Sequence, residues 1–383
     1  MAKNIYNIEV YETKIEMRIV LSLALILTFS YHSSGQNLNR KIEFPNVDGY
    51  LTLKSDLHIH TVFSDGLVWP TIRVDEAVKD GLDVISMTEH IEYQPWKDDI
   101  PHPDRNRSYH IAKEAAKPHD LIVIHGTEIT RDMPPGHANA LFIKDVNAIM
   151  DSSVMKSYRK ASDQGAFIFW NHPNWIVQQK DALPKVTEFH RKLIEEDLLH
   201  GIEVVNEMTF SEEAVRIALE NNLTIMGTSD IHGLVDYQFR LDNGGHRPIT
   251  LIFAKERTEE SIKEALFAGR TVTWFDQILA GREDNMKLLV DSSLEFVNKK
   301  YIGDSDVLEY DIVNTSDATF YLKNTSPYDF YANTDIIEVE PQSTKRIKII
   351  TSQGDLKKEK LTFDVLNAVI DYKKNFKISM WLD

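Results

Sequence analysis

One short stretch of the sequence carries the densest set of side chains that could do chemistry. It covers residues 56–66 and reads Asp-Leu-His-Ile-His-Thr-Val-Phe-Ser-Asp-Gly. Residues 50–54, just before it, alternate apolar and polar types, which is typical of a strand. Residues two apart in a strand point the same way, so Asp56, His58 and His60 should share one face. Two imidazoles side by side at a strand end form half of a metal site.

A lone His-x-His pair is more often a pair of satisfied core residues than a metal site. The interpretation changes because similar groups follow many of the later strands. Asp65 stands on the loop after the first strand, and Gly66 is expected to let that loop turn. The polar residues at or beside the other strand ends are Glu89, His90, His125, Glu128, His137, Asn171, His172, Asn206, Glu207, Asp230 and His232. Chance would scatter such groups over both ends of a sheet, so this set indicates one shared site.

The elements that must position these residues alternate in type from about residue 50 to residue 275. Apolar strand-like runs cover 83–88, 121–124, 140–143, 166–170, 201–205, 224–227 and 249–253, and helical periodicity covers 72–79, 111–117, 185–199, 214–219 and 261–267. Repeated strand–helix units with apolar strands predict a parallel sheet that is covered on its faces. Seven or more units favour an α/β barrel, in which functional groups sit where the strands end.

The pattern changes at about residue 283, where strands begin to follow one another without helices. Predicted strands cover 287–290, 309–314, 319–323, 336–339, 345–350, 361–365 and 376–382. This spacing predicts a small all-β sandwich. The expected domains are therefore a barrel over 45–282 and a β-sandwich over 283–383.

Composition excludes several classes of function. The chain has 383 residues, a formal net charge of −16 and no cysteine. Disulfides, thiolate nucleophiles and zinc–thiolate sites are therefore excluded. A nucleic-acid polymer is not an expected partner, because binding a phosphate backbone normally needs a basic face.

The N-terminus is typical of an export signal. An apolar run over 19–29 follows Arg18 and precedes the small residues Ser33, Ser34 and Gly35. The run is short for a bilayer span, so no stable span is expected after cleavage. We predict a signal peptide over residues 1–35, with Met17 as an alternative start, and a periplasmic or secreted protein. A buried core helix is the alternative interpretation.

An ordered set of motifs between residues 51 and 275 resembles a known family. The motifs are Asp-Leu-His-Ile-His-Thr with Ser-Asp-Gly (56–66), Thr-Glu-His (88–90), Gly-Thr-Glu (126–128), Asn-His-Pro (171–173) and Ser-Asp-Ile-His (229–232). They resemble the polymerase and histidinol phosphatase (PHP) family of metal-dependent phosphoesterases. The resemblance implies a distorted (β/α)7 TIM-like barrel that holds up to three metal ions. The family often has Thr-Asp-His where this chain has Thr-Glu-His, but that acid is not an expected ligand.

The resemblance also implies which residues bind metal. The implied ligands are His58, His60, Asp65, His90, Glu128, His137, His172, Asp230 and His232. The family pattern gives one ion to His58, His60 and Asp230, and a second to Asp65, His90 and His172. It gives a third to His137 and His232, with Glu128 bridging. Catalytic roles are expected for Glu128, Asp230 and His232.

Nitrogen and oxygen donors without thiolates suit Zn²⁺, Mn²⁺ or Fe²⁺, and two to three such ions are expected. Metal binding lowers the pKa of water to about 7, which makes a nucleophile at neutral pH. We therefore hypothesise that a metal-bridging hydroxide attacks a small-molecule phosphate monoester or diester, with no covalent enzyme intermediate.

Substrate contacts are predicted from Arg240, Arg247 and Trp175. Arginine binds phosphate with two parallel hydrogen bonds, although a surface salt bridge is the alternative for either one. Trp175 could stack on a base or an apolar leaving group, or pack at the barrel rim. Two other functions stay open. One is metal-dependent hydrolysis of non-phosphate esters or amides, and the other is a binding module whose β-sandwich holds a glycan or a partner.

Overall fold

We describe residues 41–351 and 360–381 of the protein from a computed structural model. The expected export signal over 1–35 lies outside the described residues and stays a prediction. Within the described part of the chain, no helix is long and apolar enough to cross a membrane.

The first part of the chain alternates strands and helices, as the sequence predicts. Its elements are β1 (Leu51–Ile59), α1 (Pro70–Asp80), β2 (Val84–Met87), α2 (Arg107–Ala116), β3 (Ile122–Ile129), β4 (Ala138–Leu141), α3 (Val146–Ile149), α4 (Val154–Asp163), β5 (Phe167–Trp170), α5 (Glu188–Glu195), β6 (Gly201–Asn206), β7 (Thr209–Phe210), α6 (Glu212–Glu220), β8 (Thr224–Thr228), α7 (Val235–Gln238), β9 (Ile249–Ala254), α8 (Glu259–Phe267), β10 (Thr271–Phe275) and β11 (Ile278–Gly281).

Side-chain caps fix several helix starts at polar residues. Thr187, Ser211 and Thr258 each accept a hydrogen bond from the backbone N–H three residues later, at the starts of α5, α6 and α8. Such a cap satisfies a donor that has no partner inside the helix. These three helices therefore begin where the sequence supplies a short hydroxyl side chain.

The sheet is mixed and not wholly parallel, which corrects the sequence prediction. β1, β2 and β3 pair in parallel, but β4 is antiparallel to both β3 and β5, and β9 is antiparallel to both β1 and β10. The link from β3 to β4 contains no helix, so the chain returns along the neighbouring edge. The start of β4 therefore lies at the same end of the sheet as the end of β3.

The sheet curls so that β8 approaches β1 and β10. The Asp230 amide donates to the His58 carbonyl at 2.8 Å, and the His60 amide donates to the Ile231 carbonyl at 3.1 Å. Gly227 of β8 passes so close to β10 that a Cβ there would lie 1.6 Å from Thr273 Oγ1. The first and last site motifs are therefore neighbours in space, although they are far apart in sequence.

The second part of the chain is rich in strands. After helix α9 (Glu283–Ser293) come β12 (Leu294–Tyr301), β13 (Val307–Asn314), β14 (Phe320–Asn324), β15 (Ile336–Val339), β16 (Thr344–Ile350), β17 (Lys360–Asp371) and β18 (Lys374–Trp381). Helix α9 corrects the predicted strand over 287–290. Its buried residues Met286, Leu289, Val290 and Ser293 recur at helical spacing, and Glu283 and Asp284 occupy the favourable first turn.

Backbone pairing joins the two parts of the chain. β17 pairs in parallel with β11, so β14, β15, β17 and β18 extend the same sheet as the strands of the first part, whereas β12, β13 and β16 form a separate three-stranded sheet. The Asn367 side chain donates to the carbonyls of Gln277 and Thr319, which adds a polar link between them. The second part therefore contacts the first through main-chain hydrogen bonds and not through a loose linker.

Candidate metal centre

Three donor atoms from the two ends of the motif series form a small triangle. His58 Nε2 lies 3.0 Å from His60 Nε2, and these two atoms lie 3.1 and 3.0 Å from Asp230 Oδ1. The β1 strand and the turn after β8 position these groups, and both imidazoles are fully buried. Donors about 3 Å apart suit one divalent ion about 2.0–2.2 Å from each of them. This is the set that the family pattern assigns to the first ion.

Glu128 lies at the centre of the remaining donors, at the end of β3. Its Oε1 is 2.8 Å from His137 Nδ1 and 3.6 Å from His172 Nε2. Its Oε2 is 2.6 Å from His90 Nδ1. His137 reaches Glu128 because β4 returns antiparallel beside β3. Asn171 Nδ2 also donates to Oε1 at 2.8 Å, which fixes the orientation of the carboxylate.

Asp65 joins the centre from the loop after β1. Its Oδ1 lies 3.1 Å from His232 Nε2 and 3.4 Å from His90 Nε2. The structure therefore brings together all nine side chains that the resemblance implies as ligands, which are His58, His60, Asp65, His90, Glu128, His137, His172, Asp230 and His232.

The donors group differently from the expected division among three ions. Asp65 groups with His60, His90 and His232, and not with His172. His137 groups with His90 and Glu128, without His232. The reason is topological, because the end of β1 and the turn after β8 are adjacent. Asp65 and His232 therefore meet on one side of the centre.

Opposite charges face one another throughout the centre. Burial disfavours the charged form of Glu128, yet the imidazoles of His90 and His137 hold the pKa of this carboxyl well below its usual range. Burial likewise opposes charge on His90, but Glu128 and Asp65 raise its pKa to about 10. Burial and two neighbouring imidazoles lower the pKa of His60 to about 3. Binding of a cation would displace protons from the imidazoles that the carboxylates stabilise.

Two carboxylate oxygens in the centre have the environment expected of metal ligands. Among the described residues, neither Asp65 Oδ1 nor Glu128 Oε2 has a hydrogen-bond partner in good alignment, although both are buried. Leaving a buried oxygen unsatisfied is costly, so such atoms need another partner. The imidazole and carboxylate donors fit Zn²⁺, Mn²⁺ or Fe²⁺, and the residues present therefore suit divalent ions.

A buried carboxylate that the sequence analysis missed supports the centre from behind. Glu203 lies in the middle of β6, and its Oε1 accepts from His58 Nδ1 at 2.8 Å. One signal could have identified it, because β6 reads Gly-Ile-Glu-Val-Val-Asn with a single acid inside a buried strand. A charged side chain in such a strand needs a polar partner.

A second buried acid fixes the loop that follows β1. The carboxylate of Glu89 accepts from the amide of Thr61 at 3.0 Å and from the Ser64 hydroxyl at 2.6 Å. Ser64 Oγ in turn lies 3.2 Å from His60 Nδ1. Glu89 is therefore an anchor of the loop and not one of the clustered donors, as expected.

Gly66 is required in this loop for close packing and not for a positive φ. A Cβ there would lie 2.6 Å from the amide nitrogen of Thr61, and backbone atoms of that kind cannot give way. We expect Gly66→Ala to displace the neighbouring Asp65 and to weaken metal binding by about tenfold or more, as for a lost supporting contact. Titration of the metal-stripped variant with Mn²⁺ measures this. Gly233→Ala, where a Cβ meets nothing within 4 Å, is the control and should bind metal like the parent.

Trp175 and Arg240, the two exposed residues predicted to contact substrate, differ in what their side chains contact. Trp175 is 40% exposed, and its ring centroid lies 5.1 Å from that of His172 and 5.8 Å from that of His137. It therefore lies beside the centre. Arg240 is exposed, and its guanidinium faces the side chain of Asn243. Its contact with substrate stays a prediction.

Arg247 does not line the site, which corrects the sequence prediction. Its guanidinium is buried and donates to Asp80 Oδ2 at 2.8 Å and to Asp56 Oδ2 at 3.2 Å. Asp56 also accepts from the Ser229 hydroxyl at 2.6 Å, one residue before Asp230. The guanidinium is hydrogen-bonded to two carboxylates, so Arg247 supports the turn after β8 and is not available to bind a phosphate.

A known structure resembles this chain over most of its length. A two-domain protein of Bacteroides vulgatus, described as containing a predicted PHP-like metal-dependent phosphoesterase, is 40% identical in sequence. The match covers 90% of this chain and 99% of that chain, with a TM-score of 0.85. This chain belongs to the PHP-like metal-dependent phosphoesterases. The family resemblance drawn from the motifs is therefore confirmed.

Other comparisons cover parts of this PHP-like chain. A family model for an Ig-like domain matches residues 294–381, which confirms a β-sandwich type of domain after α9. An uncharacterised protein of Methanocaldococcus jannaschii is 32% identical over 128 residues. That match covers 33% of this chain and 48% of the relative, so the chain spans about half the length of that curated protein.

Proposed function

We propose that the protein hydrolyses phosphate esters of small molecules with the help of two to three divalent ions. The main support is the triangle of His58 Nε2, His60 Nε2 and Asp230 Oδ1, with edges of 3.0–3.1 Å. Membership of the PHP-like family supports hydrolysis of phosphate esters as the reaction class, and the nitrogen and oxygen donor set supports Zn²⁺, Mn²⁺ or Fe²⁺ as the metal.

The residues of the centre have separate parts in this proposal. His58, His60 and Asp230 would hold one ion, and Glu128 stands between the other donors so that it could bridge. When bound, the ions would lower the pKa of water towards ~7, supply hydroxide as the nucleophile and neutralise charge on the phosphoryl oxygens. His232 and Asp65 keep 32% and 22% of their side chains exposed, so they mark the side from which substrate enters.

Aromatic side chains flank this entrance and would contact the leaving group. Trp175 lies beside His137, and Tyr93, which is 52% exposed, lies with its ring centroid 5.9 Å from that of His90. Aromatic faces bind planar or apolar groups by dispersion and stacking. We therefore propose an ester whose leaving group is apolar or aromatic and larger than water.

We expect Trp175→Ala to raise KM for an aryl phosphate by about two- to tenfold, because one aromatic contact contributes about 0.5–1.5 kcal/mol. The value of kcat should change little, since Trp175 donates no ligand to the centre. Steady-state kinetics measures both constants. A short alkyl phosphate serves as the control substrate, and its KM should stay close to that of the parent. An equal rise for both substrates would contradict the proposed contact.

A hydrolysis screen tests the function itself. The metal-loaded full chain should release phosphate or alcohol from phosphate monoesters or diesters, assayed with Mn²⁺, Zn²⁺ and Fe²⁺ in turn. The same preparations should be compared on carboxylic esters, lactones and amides. Turnover confined to the second group would overturn the phosphoesterase proposal. Metal-rich protein with no turnover of either group would favour the alternative of a binding module.

A further inference from the structure

Four donor groups converge on the carboxylate of Glu203. Its Oε1 accepts from His58 Nδ1 at 2.8 Å and from the Thr228 hydroxyl at 2.5 Å. Its Oε2 accepts from the His172 amide at 2.6 Å and from Asn206 Nδ2 at 2.9 Å. Glu203 is 1% exposed, so bulk solvent does not compete for these bonds. Both oxygens act only as acceptors.

Two of these contacts control the side chains of implied metal ligands. Because a carboxylate oxygen can only accept, the contact with Glu203 Oε1 favours the neutral tautomer of His58 with its hydrogen on Nδ1, which leaves the lone pair on Nε2, the atom that faces Asp230. Asn206 Nδ2, which donates to Glu203, also lies 3.3 Å from Asp230 Oδ2. The carboxylate thus fixes the donor atom of one ligand directly and orients the other through an amide.

The third contact holds a backbone turn in an unfavourable conformation. His172 has a φ of 30° and Asp230 has a φ of 49°, both in a region that non-glycine residues seldom adopt. The amide of His172 donates to Glu203 Oε2 at 2.6 Å. Such conformations persist where surrounding contacts over-determine them, and this charge-assisted hydrogen bond is one such contact.

We propose that Glu203 is a positioning residue that sets the tautomer of His58 and the placement of His172 and Asp230 for metal binding. It joins three strand ends that the sequence separates by tens of residues. It is not itself one of the clustered donors, because both of its oxygens are used by hydrogen-bond donors. The proposal rests on the metal centre of the proposed function and adds the group that orders it.

Glu203→Gln is the discriminating change, because it keeps the size of the side chain and supplies only one acceptor oxygen. If the amide nitrogen faces His58, Nδ1 must accept and the hydrogen moves to Nε2, where the ion would bind. If the nitrogen faces His172, two donors oppose each other and the turn loses its support. We expect the affinity of the metal-stripped full chain for Mn²⁺ to fall about 10- to 100-fold.

Asp311→Asn is the matched control for loss of a buried carboxylate. Asp311 is 4% exposed, lies in β13, and accepts from Arg346 Nε at 2.7 Å and from Asn298 Nδ2 at 2.9 Å. Calorimetric titration with Mn²⁺ should give this variant the affinity of the parent. The proposal is overturned if Glu203→Gln binds Mn²⁺ within threefold of the parent, or if both variants lose affinity equally.

A second measurement does not depend on whether the variant folds. Nitrogen NMR of the parent, labelled at histidine and loaded with Zn²⁺, should show His58 protonated at Nδ1 and bound to metal through Nε2. Metal bound through Nδ1 would overturn the proposal. Neither experiment uses substrate. Protein that binds metal as expected but hydrolyses no phosphate ester would contradict the proposed function without affecting this inference.

Discussion

Removing divalent ions should lower kcat/KM for phosphate ester hydrolysis at least ~1,000-fold. Bound ions are the expected source of hydroxide at neutral pH and of charge neutralisation on phosphorus, which together amount to several kcal/mol of transition-state stabilisation. The donor atoms of His58, His60 and Asp230 lie 3.0–3.1 Å apart, which suits one such ion. The measurement is turnover after dialysis against a chelator, with metal content determined by atomic spectroscopy.

Adding metal back to the stripped protein is the control for this experiment. Dialysis to remove the chelator, followed by Mn²⁺ or Zn²⁺, should return most of the activity to the same preparation. Circular dichroism before and after stripping should show that the strands and helices survive. Protein proven free of metal that still turns over at the parent's rate would contradict the proposed chemistry.

Replacing Arg247 with methionine should lower the free energy of unfolding by about 3–5 kcal/mol, the usual effect of breaking a buried ion pair on one side. The guanidinium is 1% exposed and bonds Asp56 at 3.2 Å and Asp80 at 2.8 Å. Methionine fills similar space but leaves two buried carboxylates without their cation. Unfolding in urea, followed by fluorescence, measures the loss.

Arg159→Met provides the comparison at the surface. Arg159 pairs with Glu196 at 2.7 Å, and 53% of its side chain is exposed. An exposed pair of this kind contributes about 0–1 kcal/mol, so the variant should unfold close to the parent. A loss below about 1 kcal/mol for Arg247→Met would show that the two carboxylates find other partners, and the structural role given to Arg247 would be wrong.

The metal donors could be predicted from sequence because their chemistry is local. His58 and His60 follow from the two-residue period of a strand, and Asp230 and His232 repeat the same spacing after a later strand. Each motif ends or begins a buried strand, and strand ends gather at one edge of a sheet. The structure brings these side chains together, although their roles as ligands stay predictions.

Glu203 was not predicted, because its local sequence marks it only as a single acid in an apolar strand and does not reveal its partners. Its four partners come from β1, from the turn after β5, from β8 and from its own strand end. Only the curled sheet brings those groups to one carboxylate. Arg247 was misassigned for the matching reason, since the loop sequence does not reveal that Asp56 and Asp80 occupy its guanidinium.

The second part of the chain shows a similar limit on predicting helices and strands from local sequence. The strands predicted over 309–314 and 336–339 agree with β13 and β15, and in β15 exposed and buried residues alternate as the two-residue period of a strand requires. The segment Lys-Leu-Leu-Val over 287–290 instead belongs to helix α9, since three consecutive apolar residues fit either a helical or a strand period. The packing of Met286 and Leu289 in the core decides in favour of a helix and against a strand.

The sequence by itself determined the types of donor, their order along the chain and the alternation of strands with helices, because these depend on residues that are near one another. Tertiary structure alone decided which donors share an ion-sized space. It did so by bringing β1 next to the turn after β8 and by turning β4 back along β3. Those contacts join residues far apart in the chain, and their distances are set by the curvature of the whole sheet.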